Sequence, residues 1–226
     1  NDNAYVGYMR GSTGASSYNA THANTTDSTI KGIVDAWYEN NILGTQYEQY
    51  ISTEQGFCND RQIYTGASWD GYGTLGYGTN PTTYMPTSRF MQWSSGRSSW
   101  RTSQTPSLKC NQTNDYFTVN ESSRGNNALD YPIGLITADE VVLAGGFAGS
   151  NNTSYYLYTN QQYWTMSPCA VYESGYANVF SVYSNGNYNS CNYVYNSSYG
   201  VRPVINLDAS VTLTGNGTTS SPYRVS

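Results

Sequence analysis

The chain has 226 residues, long enough to bury a real core, with 38% hydrophobic and 15% aromatic residues, and 24 tyrosines. Only 11% of residues are charged and the net charge is −5, so no basic track is available to follow a phosphate backbone and no nucleic-acid partner is expected. The aromatic content likewise argues against disorder and for a folded domain with a lean, aromatic core, kept in solution by Asn, Ser, Thr and Tyr.

The sequence begins Asn1-Asp2-Asn3, with no start methionine and no apolar run of membrane length. A leader or membrane anchor is therefore expected to have been removed. The run Tyr5–Met9 reads as a strand. His22, the single imidazole, sits in a polar stretch, which leaves a Ser or Cys triad without its base.

From Asp27 to Ile42, the residues Ile30, Ile33, Val34, Trp37 and Ile42 recur near one helical face. Asp27 or Ser28 can cap the start and Gly44 can close the end. This predicts an amphipathic helix packed on a sheet, its Trp and Ile stripe in the core. Trp69-Asp70-Gly71-Tyr72-Gly73 is Gly-rich and could hold calcium, but it lacks the run of oxygen ligands of an EF-hand and reads as a tight turn. The stretch Ser94–Ser107 is poor in apolar residues and reads as a surface loop.

Thr137 to Ala144 predicts a second helix, opened by the capping box Thr137-x-x-Glu140 and closed by Gly145-Gly146. Asp139 and Glu140 fit the positive end of that helix better than an acid/base pair, because adjacent helical residues face different ways. The runs Tyr155–Tyr158, Tyr163–Met166, Val179–Tyr183, Val201–Leu207 and Val211–Leu213 are β-branched or aromatic and read as short strands. Two helices, with strands crowding the second half, predict an α+β fold in a single domain over residues 1–226.

The four cysteines, Cys58, Cys110, Cys169 and Cys191, lack CxxC spacing, which disfavours zinc and favours two disulfides in an oxidising compartment. Three pairings are open. The sequential one, Cys58 with Cys110 and Cys169 with Cys191, is preferred because each bridge then closes a loop within one half. Asp60, Asp70, Asp115, Asp130 and Glu173 are the carboxylates that could hydrolyse a sugar, but no spacing singles out a pair.

The segment 169–199 is the most informative. Tyr172, Tyr176, Tyr183, Asn185, Asn187, Tyr188, Asn189, Asn192, Tyr193, Tyr195 and Asn196 alternate with small residues, as Tyr and Asn do in antibody paratopes. They are the candidate ligand-binding residues.

Five strings, in order, carry a resemblance: Asp27-Ser-Thr-Ile-Lys with Trp37-Tyr-Glu-Asn, Phe57-Cys-Asn-Asp-Arg61, Tyr131 to Glu140, Tyr163-Trp-Thr-Met-Ser-Pro168 and Gly200 to Leu207. Over about residues 25–226 the chain resembles the type IV pilin-like surface ectodomains of gut Firmicutes, whose C-terminal part has a C-type-lectin-like fold of the formylglycine-generating-enzyme type. The resemblance implies core strands at Trp164 and at Val201-Arg202-Pro203, a structural Arg202, and a terminal turn and strand over Thr214–Tyr223. It also implies kinship with variable proteins of diversity-generating retroelements, whose changeable residues lie late in the domain.

The closely spaced reactive cysteines of the formylglycine-generating enzymes are missing, and so are the Glu-Pro-Asn and Gln-Pro-Asp motifs of calcium-dependent lectins. The expectation is a non-enzymatic adhesin-like domain, on a cell surface or pilus, that binds protein or glycan without a cofactor or metal. A membrane contact would run only through a removed N-terminal anchor, and other pilus subunits are further candidate partners. The alternatives are a carbohydrate-active enzyme and a structural pilin subunit.

Overall fold

Short apolar runs broken by Asn, Gly and Ser favour short strands, and these make up most of the regular elements of the computed structural model, which describes residues 1–65, 75–94, 97–100 and 104–226. In chain order these are β1 (Met9–Arg10), α1 (Tyr18–Thr21), β2 (Thr26–Asp27), α2 (Thr29–Asn41), β3 (Phe57–Cys58), β4 (Thr82–Thr83), α3 (Met85–Phe90), β5 (Met91–Ser94) and β6 (Arg97–Trp100). There follow β7 (Tyr116–Phe117), β8 (Ile133–Leu135), α4 (Ala138–Leu143), β9 (Tyr163–Val171), β10 (Ala177–Val182), β11 (Tyr188–Tyr193), β12 (Pro203–Ile205), β13 (Leu213–Thr214) and β14 (Arg224–Val225). The fold is α+β.

The central feature is a four-stranded antiparallel sheet in the order β11-β10-β9-β4. All nine residues of β9 are buried, so both of its faces are covered. Its polar members are satisfied inside the protein: Thr165 Oγ1 donates to the Phe180 carbonyl at 2.7 Å, and Ser167 Oγ accepts from the Ala138 amide at 2.9 Å. Pro168 has no N–H to give to the ladder, and the β9–β10 register shifts beside it. On one side of the sheet Phe90, Tyr163, Phe180 and Tyr188 form an aromatic core with α4; on the other, Tyr8, Val34, Tyr38, Phe57, Phe117 and Met166 form a second.

Several expected elements are placed differently. Tyr5–Met9 is not a strand: the Asp2 carboxylate accepts from the Ala4 amide at 2.9 Å and winds Asn3–Val6 into a 3-10 turn, leaving only Met9–Arg10 to pair with β2. Tyr155–Tyr158 is a turn, closed from the Tyr158 amide to the Tyr155 carbonyl. Within Ser94–Ser107, Arg97–Trp100 pairs with Met91–Ser94 as a hairpin rather than a loop. The Trp69–Gly73 turn, with Asp70, lies outside the described residues.

Helix α2 forms where expected, with Ser28 Oγ accepting from the Lys31 amide and Gly44 at φ +70° just beyond its end. The buried face is the predicted one in part: Val34 is fully buried and Ile30 and Ile42 pack against the core. Lys31, Val34 and Tyr38 point inward, while Ile33 and Trp37 are 50% and 42% exposed. Burying Lys31 is possible because Asp35, Asp130 and Asp27 meet its ammonium at 2.6, 3.2 and 3.3 Å. Burial works against its charge, but these carboxylates outweigh that effect and raise its pKa.

Cys58 pairs with Cys110 and Cys169 with Cys191, the preferred pairing. The second bridge joins β9 to β11, the strands on either side of β10. Disulfides form in oxidising compartments, so the chain is that of a secreted or extracellular protein. Among the described residues no helix is long and apolar enough to cross a membrane. The bridges close spans of 52 and 22 residues. Removing the first by paired Cys-to-Ala replacement is expected to cost about 4 kcal/mol and removing the second about 3 kcal/mol. Urea unfolding of the two variants checks this; equal losses would contradict the loop-length account.

Candidate binding surface

The surface is built on the β10–β11 hairpin. Its turn is closed by the Gly186 amide donating to the Tyr183 carbonyl at 2.9 Å and by the Tyr183 amide donating to the Asn187 carbonyl at 3.0 Å. Gly186 has φ +74°, and a Cβ there would fall on the Asn152 carbonyl, so only glycine fits. The next loop is tied to this turn: Asn185 Nδ2 donates to Asn151 Oδ1 at 2.7 Å, and the Gly149 amide donates to Asn187 Oδ1 at 3.1 Å.

Of the predicted binding residues, three come together in the open. Tyr176 lies in the β9–β10 turn, Tyr193 ends β11, and Tyr195 folds back beside Tyr193 because the Asn196 amide bonds the Tyr193 carbonyl at 3.0 Å. The Tyr193 and Tyr195 rings are nearly parallel, 8° and 5.3 Å apart, and Tyr176 leans on them at 4.9 and 6.0 Å. Their exposures are 38% for Tyr176, 41% for Tyr193 and 60% for Tyr195. Asn196 follows, half-buried, with Oδ1 accepting from the Ser198 amide.

The other predicted residues are used differently. Tyr188 belongs to the core, not the surface: it is wholly buried, stacked on Phe180 at 5.5 Å and edge-on to Phe90 at 5.4 Å. Burial pushes its phenol well above the ordinary pKa. Asn185 and Asn187 brace the turn, and Asn192 donates to Ser181 Oγ at 2.5 Å. Tyr172 packs half-buried against the core, Tyr183 sits 6.3 Å from Tyr199, and the Asn189 side chain lies outside the described set.

Sequence reasoning missed an apolar groove beside the tyrosines, about 510 Å³ in volume, floored by Trp164, Met166 and Val179 and rimmed by Tyr5, Ile33 and Tyr195. Its parts come from distant stretches of chain, and no local motif marks it.

The candidate catalytic groups are engaged in structural roles. Asp115 is buried against Arg61, Asp60 shares Arg89 with Asp139, and Asp130 holds Lys31, while Glu173 lies exposed in the β9–β10 turn. Burial raises the pKa of both Asp115 and Asp60, with their arginines offsetting part of the shift. Glu140 completes the capping box with Thr137. The carboxylates of Asp27, Asp35 and Asp130 lie close enough to share a metal ion, but the Lys31 ammonium already stands among them as their counter-charge.

A family model described as "Domain of unknown function (DUF6273)" matches residues 97–209. The chain belongs to this family. No curated protein and no solved structure matches it. The DUF6273 segment runs from β6 through β12, so it holds the tyrosine cluster, the Cys169–Cys191 bridge and the groove floor. Tyr5 and α2, on the opposite side of the groove, fall outside it.

Proposed function

We propose that the chain is a non-enzymatic extracellular binding domain that recognises a protein or glycan through Tyr176, Tyr193, Tyr195 and Asn196. The observation that carries this reading is the cluster of three exposed tyrosine rings in mutual contact, one of them, Tyr193, on the strand that the Cys169–Cys191 bridge ties to the sheet. Large flat rings of this kind supply contact area at low entropic cost, and their hydroxyls can pair with polar ligand groups. The carboxylates of the enzymatic alternative are for the most part held in ion pairs, which favours binding over hydrolysis.

Short antiparallel strands with few helices support a C-type-lectin-like architecture, and two disulfides support display outside the cell, on a surface or pilus. Buried aromatic hot spots typically contribute 2 kcal/mol or more to an interface. Replacing Tyr176, Tyr193 and Tyr195 together by Ala is therefore expected to weaken binding at least roughly 100-fold on a glycan array or on immobilised glycoproteins, with the thermal transition nearly unchanged. Binding equal to that of the parent protein would refute the assignment.

A further inference from the structure

We propose that the groove beside the tyrosines, which shares Tyr195 and Asn196 with their surface, is a site for an amphipathic carboxylate, with an aliphatic chain along its apolar floor and the carboxylate at Arg10. Its volume of about 510 Å³ lies within the range of roughly 300–1,000 Å³ typical of small-molecule sites. Trp164 is held in place by Tyr199, 4.5 Å away, and with Met166 and Val179 makes a floor that favours hydrocarbon over a hydrated sugar.

The charge at the mouth selects the head group. Arg10 lies with its guanidinium carbon 5.0 Å from the centre of the Tyr5 ring, a cation–π contact that keeps it beside the groove. Among the described residues Arg10 takes part in none of the seven ion pairs. Asp27 also lines the groove, but it faces the Lys31 ammonium at 3.3 Å, which it shares with Asp35 and Asp130. Arg10 is the cation among the groove-lining residues and can bind a carboxylate through two parallel N–H donors.

The test is calorimetric titration of the full chain with sodium decanoate below its micelle-forming concentration, with decan-1-ol and decylamine as head-group controls. Saturable one-to-one binding is expected, with decanoate about tenfold tighter than the alcohol. Each methylene removed should weaken it about three- to fourfold. Arg10→Gln should abolish the preference for decanoate over decanol, and Arg10→Lys should keep part of it. Ile33→Asp, at an exposed position where folding is not at stake, should abolish binding of both. Absence of saturable binding, decylamine or decanol binding as tightly as decanoate, or full binding by Ile33→Asp would each overturn the proposal.

Discussion

Replacing Asp115 with Ala is expected to cost about 3–5 kcal/mol of stability, because it strands a buried guanidinium. Arg61 is wholly buried. Its Nε donates to Asp115 Oδ1 at 2.7 Å, Nη1 to the Met9 carbonyl at 3.1 Å, and Nη2 to Asn24 Oδ1 at 2.8 Å and the Asn114 carbonyl at 3.1 Å. The Arg61 amide also donates to Asp115 Oδ2 at 2.8 Å. One arginine thereby joins the N-terminal strand, the His22 region and the segment before β7. The remaining carbonyls cannot neutralise its charge once the carboxylate is gone. Domains are typically stable by only about 5–15 kcal/mol, so the loss would be a large share of the whole. Urea unfolding at neutral pH measures it, and a loss under about 1 kcal/mol would show that the pair is solvated.

The second large effect concerns acid. His22 is wholly buried, with Nδ1 2.9 Å from the Tyr18 carbonyl and its ring 4.3 Å from that of Tyr18. Burial, reinforced by the nearby Arg61 charge, depresses its pKa from 6.5 to about 3. The folded protein therefore resists a proton that the unfolded chain accepts. The contribution of neutral His22 is present above the unfolded pKa and is lost as pH falls from about 6.5 towards 3.

By pH 4 the loss should reach about 3 kcal/mol. Asp35, Asp60 and Asp115 act with the opposite sign, since burial raises their folded pKa values. Their contributions are full below the unfolded carboxylate pKa and fade as pH rises through the folded values. Comparison with His22→Gln isolates the imidazole: the variant should lose about 3 kcal/mol less than the parent between pH 7 and pH 4. Parallel stability profiles for the two proteins would refute this account.

The position of α2 was legible because a serine cap and apolar recurrence are local signals. Its buried face was legible only in part. Apolar periodicity points Ile33 and Trp37 inward, yet the fold buries Lys31, and only the Asp27-Lys31-Asp35 spacing hints that this lysine brings its own neutralising partners. The tyrosines show the same limit from another direction. An amphipathic ring can serve as core or as surface, so composition alone groups Tyr188 with Tyr193. Alternation along β11 does not separate them, because the register slips between Tyr188 and Cys191; what does is place in the strand, Tyr188 lying against Phe90 and Phe180 while Tyr193 ends β11. The disulfide pairing could be preferred in the sequence only on the grounds of loop closure. The groove was invisible, because Tyr5, Ile33, Trp164 and Val179 meet only through tertiary packing.

The Cys169–Cys191 bridge has a mechanical consequence. A ligand gripping the Tyr193 edge under tension pulls on β11, an edge strand of the sheet. Without a covalent tie, such a pull would unzip the β10–β11 ladder one rung at a time. With the bridge, force arriving at Cys191 passes directly to Cys169 in the buried strand β9, so the rungs beyond it must yield together rather than in sequence.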